Sequence, residues 1–97
     1  MKFKVVLSPR AKEHLEDLEN HIAEASSPRT AANYVDEILR YCASLDTFPH
    51  RGTRCDDIRP GVRMIGFRRR VTIAFEVTDC VTILGVFYGG RNIETHI

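Results

Sequence analysis

Residues 3–28, FKVVLSPRAKEHLEDLENHIAEASSP, decide the fold. Phe3, Val5 and Leu7 alternate with Lys4 and Val6, the two-residue period of a short strand. Ser8-Pro9 follows at once, a helix-capping hydroxyl with proline at the first helical position, where the missing N–H is not needed. A strand therefore runs directly into a helix. Ala11, Leu15, Leu18 and Ile22 recur at steps of four, three and four and form one apolar stripe, while Glu13, Glu16, Asp17, Asn20 and Glu24 take the wet face. Ser27-Pro28 repeats the cap after a link of a residue or two. Ala31, Val35, Ile38, Cys42 and Leu45 then make a second stripe of the same period, so two antiparallel helices are expected.

Working outward, Phe48-Pro49 is expected to end the second helix, and the turn formers to Gly52 change the chain's direction. Beyond them the period becomes two. Arg59-Pro60-Gly61 signals a turn, Val62 to Phe67 reads as a strand, and Arg68-Arg69-Arg70 marks a hairpin tip or its flank. Val71, Ile73, Phe75 and Val77 alternate with Thr72, Ala74 and Glu76 in the clearest strand of the chain. Thr78-Asp79 closes another hairpin. Val81 to Tyr88 is apolar nearly throughout, as for a central strand covered on both faces, and Gly89-Gly90 breaks it. The expectation is one α+β domain over residues 1–97: an N-terminal strand and a two-helix hairpin packed on a curved antiparallel sheet of about four strands.

The chain has 97 residues, of which 43% are hydrophobic and 28% charged, enough for one core without disulfide or metal staples. Ser8 and Pro9 interrupt the short apolar run near the start before a secretion signal or spanning helix can form, which favours a cytoplasmic protein. Cys42, Cys55 and Cys80 are odd in number and match neither a disulfide framework nor a zinc spacing, so reduced thiols are expected. The net charge of +1 hides an asymmetry: residues 1–50 carry 6 basic and 8 acidic side chains, residues 51–97 carry 8 basic and 5 acidic. Between Ile58 and Phe75 lie Arg59, Arg63, Arg68, Arg69 and Arg70 with no acid at all. Arginine's planar, permanently charged fork suits recognition of carboxylate or phosphate better than proton transfer. A solvated strand edge kept soluble by charge is the bland alternative.

No residue pattern specifies a cofactor. His14 and His21 lie about 10 Å apart along one helix, too far to share a metal ion, and both read as helix-surface histidines. His50, Cys55 and His96 have no ligand spacing, so no metal is expected. No serine or cysteine nucleophile motif is present, and the glycines fit no phosphate loop. Tyr34 and Tyr41 fall on one flank of the second helix and read as core margin. What is left is the arginine cluster with Phe67, Phe87, Tyr88 and Arg91 at strand ends, a combination able to hold nucleic acid or an acidic protein segment.

Four stretches in order, LSPRAKEHLEDLENHI (7–22), FPHRG (48–52), IRPGVR (58–63) and ILGVFYGGRN (83–92), resemble the ParE branch of the ParE/RelE toxin superfamily across nearly the whole chain. The resemblance implies a toxin of a bacterial type II toxin-antitoxin module, acting by binding and poisoning DNA gyrase. It implies as partner a ParD-like antitoxin with a ribbon-helix-helix DNA-binding domain, so that DNA contact is mainly indirect. The RelE branch, ribosome-dependent mRNA endoribonucleases, is the alternative. Tyr88 and Arg91 fall where RelE-like toxins place functional residues, and His50 or His96 can move protons. The candidate surface for target or antitoxin is Arg63, Phe67, Arg68, Arg69, Arg70, Tyr88 and Arg91, expected to converge on one side of the sheet.

Overall fold

A computed structural model describes residues 2–89. Strand β1 (Lys4–Leu7) leads into helix α1 (Pro9–Ala25), and α2 (Pro28–Ala43) packs alongside it. Both helices start as their serines dictate. Ser8 Oγ accepts the Ala11 N–H at 3.1 Å and Ser27 Oγ accepts the Thr30 N–H at 3.1 Å, each cap worth about 1 kcal/mol. Ala11, Leu15 and Leu18 of α1 and Ala31, Val35, Ile38 and Cys42 of α2 are buried. Leu45 is buried too, but in a 3-10 turn, Ser44–Asp46, because α2 ends at Ala43, earlier than Phe48-Pro49 suggested.

Strands β2 (Thr53–Arg54), β3 (Val62–Phe67), β4 (Val71–Val77) and β5 (Cys80–Tyr88) complete a sheet of order β1-β5-β4-β3-β2. The sheet therefore has five strands rather than about four, and it is mixed rather than antiparallel. β1 pairs parallel to β5, with Lys4 opposite Cys80 and Leu7 opposite Ile83. Two hairpin turns reverse the chain twice between β3 and β5, so β5 points as β3 does. The helical hairpin leaves β1 free to join β5 from outside. β4, not β5, is the central strand.

One irregularity shapes β5. Ala74 faces Gly85 while Phe75 faces Ile83, which leaves Leu84 as an extra residue, a β-bulge that switches the parity of the side chains beyond it. Val81, Ile83 and Val86 consequently all join the main core under the helices with Val71, Ile73 and Phe75. Phe87 joins a smaller cluster with Val62 and Ala74, against which Cys55, Met64 and Leu84 pack. Two clusters on two faces explain why β5 reads as apolar throughout. Among the described residues no helix is long and apolar enough to cross a membrane.

Candidate functional site

The β3–β4 hairpin closes through Arg68, Arg69 and Arg70 between the paired residues Phe67 and Val71, and Val71 in turn pairs with Tyr88. This register places Phe67, the three arginines and Tyr88 at one end of the sheet. Two of the arginines have left-handed backbones, Arg68 at φ 51° and Arg69 at φ 64°, a conformation that costs a side-chain-bearing residue about 1 kcal/mol or more. The Gly89 N–H donates to the Arg70 carbonyl at 2.9 Å, and an Arg70 guanidinium N–H lies 3.4 Å from the Tyr88 hydroxyl, so the tip is tied to the end of β5.

Beneath the tip lies an aromatic floor. Phe67 packs against Tyr41 with ring centroids 5.1 Å apart and meets Tyr34 edge-on at 6.2 Å. The Arg68 guanidinium sits 5.4 Å above the Phe67 ring and that of Arg51 5.8 Å above the Tyr41 ring, cation–π distances at which the charge is held near an apolar surface. Arg68 Nη2 is 2.6 Å from Glu37 Oε2, an ion pair by distance whose angles fall short of a hydrogen bond for that buried oxygen. The Tyr34 hydroxyl is also buried without a hydrogen-bond partner. Burial raises the Tyr34 phenol above its ordinary pKa, with the neighbouring Tyr88 adding to the effect, so the ring is neutral. A groove lined by Glu37, Arg40, Tyr41, Ser44, Phe67 and Arg68 runs between α2 and this tip.

Arg63 does not join this group. It stands opposite Phe75 and beside Arg54 of β2, four residues down β3 from Phe67, about 13 Å away. There it lines a hollow with His50, Arg54, Gly61, Val62 and Val77. Several other arginines meet the chain's own acids: Arg54 lies 2.9 Å from Asp56, Arg59 3.4 Å from Glu76 and Arg40 2.6 Å from Asp36. The Gly61 backbone N–H donates to Asp56 at 2.9 Å and, with Arg54, holds that carboxyl below its ordinary range. The expectation of one convergent arginine face is thus corrected: strand direction splits the cluster between the two ends of β3. Arg91 lies outside the described residues. Arg69 is without an ion-pair or hydrogen-bond partner among the described residues.

His14 also departs from its reading as a surface residue. It is only 8% exposed, its Nδ1 accepts the Val86 backbone N–H at 3.1 Å, and its ring lies 5.0 Å from that of Phe87. The acceptor role fixes Nδ1 as unprotonated. β1 ends opposite Ile83, and past that point α1 covers the same edge of β5: Ser8 Oγ donates to the Leu84 carbonyl at 3.2 Å and His14 takes the next N–H. A Cβ on Gly85 would fall 2.6 Å from Phe87 Cζ and 3.2 Å from His14 Cε1, so only glycine fits between them. Farther along, His21 meets Tyr88 with ring centroids 6.0 Å apart. Among the described residues no group of three or more His, Cys, Asp or Glu side chains is placed to hold a metal ion.

Sequence reasoning set Tyr34 and Tyr41 aside as core margin, gave Glu37 no role, and missed the meeting of these three with Phe67 and Arg68. That contact joins residues some thirty positions apart, and only the spacing of the two tyrosines beside the α2 stripe hinted at it.

A solved structure titled "Chromosomal ParDE TA system from P. aeruginosa" superposes on this chain with a TM-score of 0.79, covering 91% of this chain and 97% of that one at 20% sequence identity. This likeness shows a shared fold. No curated protein sequence matches the chain. The family model described as "ParE toxin of type II toxin-antitoxin system, parDE" matches residues 5–93. The chain belongs to the ParE toxin family of type II toxin-antitoxin systems.

Proposed function

We propose that this chain, acting as one domain in the cytoplasm, poisons DNA gyrase by binding it and is neutralised by a ParD-like antitoxin carrying a ribbon-helix-helix domain. The observation that supports the reading is the gathering of Phe67, Arg68, Arg69, Arg70 and Tyr88 at one end of the sheet, with Arg69 unpartnered among the described residues. Cationic forks over an aromatic floor suit an acidic segment with apolar side chains, which buries its apolar groups on the rings and meets the guanidiniums with carboxylates. Such a surface works by grip and needs no cofactor. Arg63, at the other end of β3, and Arg91 are assigned to target or antitoxin on the resemblance alone.

The test is expression of this chain with and without the antitoxin encoded beside it, followed by a gyrase supercoiling assay with purified components. Expected are inhibition of supercoiling, cleaved DNA and rescue by the antitoxin, with Arg69→Ala weakening antitoxin capture. Ribosome-dependent cuts in translated mRNA, lost in Tyr88→Phe, with gyrase unaffected, would instead assign the chain the endoribonuclease activity.

A further inference from the structure

Arg54 on β2 and Arg63 on β3 stand directly opposite one another. Such a register puts both side chains on one face of the sheet with Cβ atoms about 5 Å apart, and like charges at a cross-strand pair repel. One carboxylate offsets them. Asp56 Oδ2 lies 2.9 Å from Arg54 Nη2, and the Gly61 N–H donates to Asp56 Oδ1 at 2.9 Å. The acid is thus held from two sides and fixes one edge of the Arg54 fork. Arg63 is half-buried opposite Phe75, yet it makes no ion pair or hydrogen bond with a described residue. Arg59, in the loop between the two strands, already meets Glu76 at 3.4 Å.

The hollow between these side chains suits an anion. It measures about 170 Å³ and is lined by His50, Arg54, Gly61, Val62, Arg63 and Val77. Val62 and Val77 are apolar walls, which strengthen a charge–charge contact over its value in water. His50, whose ring meets that of Phe3 edge-on at 6.3 Å, adds an imidazole able to donate a hydrogen bond. A Cβ on Gly61 would meet nothing within 4 Å, so the mouth is open on that side. With Arg54, Arg63 and Asp56 charged, one positive charge is in excess. Two guanidinium forks match the oxygens of a tetrahedral oxyanion through parallel N–H donors. Asp56 narrows the choice. A nucleic-acid backbone laid across the hollow would bring successive phosphates against this carboxylate, whereas one compact dianion needs only the two forks.

We propose that Arg54, Arg63 and His50 form a binding site for a terminal phosphate group, which sits between the two guanidiniums and removes their cross-strand repulsion. The site lies at the opposite end of β3 from the Arg68–Arg70 tip and does not depend on the gyrase or antitoxin reading.

Titration of the chain with inorganic phosphate at constant ionic strength, followed by NMR, tests the assignment. The Arg54 and Arg63 Nε–H signals and the Gly61 amide are expected to move together along one saturating curve. Arg63→Gln should weaken binding at least about tenfold, while Arg29→Gln, an exposed cation at the start of α2, stays within about twofold. Arg54→Gln, on an exposed side chain, serves in the same way should Arg63→Gln not fold. Phosphate stabilises proteins in general, so the thermal readout is the difference: its rise in Tm should be larger for the wild type than for either hollow variant. Signals that fail to saturate, or an equal loss in Arg29→Gln, would overturn the site. Competition identifies the source of the phosphate. A 5′-phosphorylated oligonucleotide that displaces inorganic phosphate at least about tenfold better than phosphate itself points to a nucleic-acid end, and one that does no better points to a small phosphorylated molecule. Equal binding of its 5′-hydroxyl twin would show recognition of the backbone and overturn the terminal-phosphate assignment.

Discussion

His14 on α1 and Val86 on β5 are joined by a single hydrogen bond, the Val86 N–H donating to Nδ1 at 3.1 Å across 72 residues of sequence. β1 is too short to cover this part of β5, and the imidazole does for one amide what another strand residue would have done. His14→Leu keeps an apolar side chain of similar bulk and leaves the Val86 N–H without its acceptor. The variant is expected to lose about 1–3 kcal/mol of stability, measured by urea unfolding, and its Val86 amide should exchange faster than in the wild type. Wild-type stability with an unchanged Val86 amide would show the bond to be unimportant.

The strained tip offers a separation of fold from function. Arg69 carries a left-handed backbone at φ 64°, so Arg69→Gly relieves steric cost and should raise stability by about 0.5–1 kcal/mol. Arg69→Ala removes the guanidinium and keeps the strain. Thermal unfolding should rank glycine above arginine and alanine, while both variants should bind the antitoxin more weakly than wild type. A glycine variant less stable than wild type would mean that the Arg69 side chain contributes to the fold.

What the sequence made legible followed from local chemistry. The serine-proline caps placed the starts of both helices, the apolar stripes placed their buried faces, and the Arg68–Arg70 tip and Thr78-Asp79 turn placed both hairpins. What escaped it was non-local. The parallel pairing of Lys4 with Cys80 joins the two ends of the described chain, and no period or turn residue encodes which strand an isolated N-terminal strand will join. β2 is two residues long, Thr53–Arg54, too short to show a period. The arginine run looked like one patch because the residues are close in sequence, yet β3 holds Arg63 and Arg68 at opposite ends. His14 looked exposed because helical spacing places it near the stripe's margin, and only the bulge at Leu84 and the close approach at Gly85 show what it meets.

Tyr34 carries a hydroxyl that is buried with no hydrogen-bond partner among the described residues, and its phenol is raised above the ordinary pKa chiefly by burial. Removing an unsatisfied polar atom while keeping the ring against Phe67 lifts a desolvation cost. Tyr34→Phe is therefore expected to be more stable than wild type by about 1 kcal/mol, with the aromatic floor unchanged. A loss of stability in thermal unfolding would reveal a partner for the hydroxyl that this arrangement lacks.

Cys42 faces the core at 2% exposure, and burial pushes its thiol from an ordinary value of 9.0 up to about 11. The folded chain holds the thiol proton where the unfolded chain has released it. Between those two values the unfolded state binds fewer protons, so stability falls as pH rises through that window, by up to about 3 kcal/mol for the full shift, and is unaffected by this group below it. Cys42→Ala removes the titration and should flatten the alkaline decline, though it leaves a small cavity and lowers stability at neutral pH. The same protonation predicts labelling order. With iodoacetamide at neutral pH, Cys55 and Cys80, both partly exposed, should react in the folded protein, while Cys42 reacts only as fast as the chain unfolds. Mass spectrometry of peptides at increasing urea concentration checks this, and early modification of Cys42 without denaturant would show that the α2 face opens independently of the sheet.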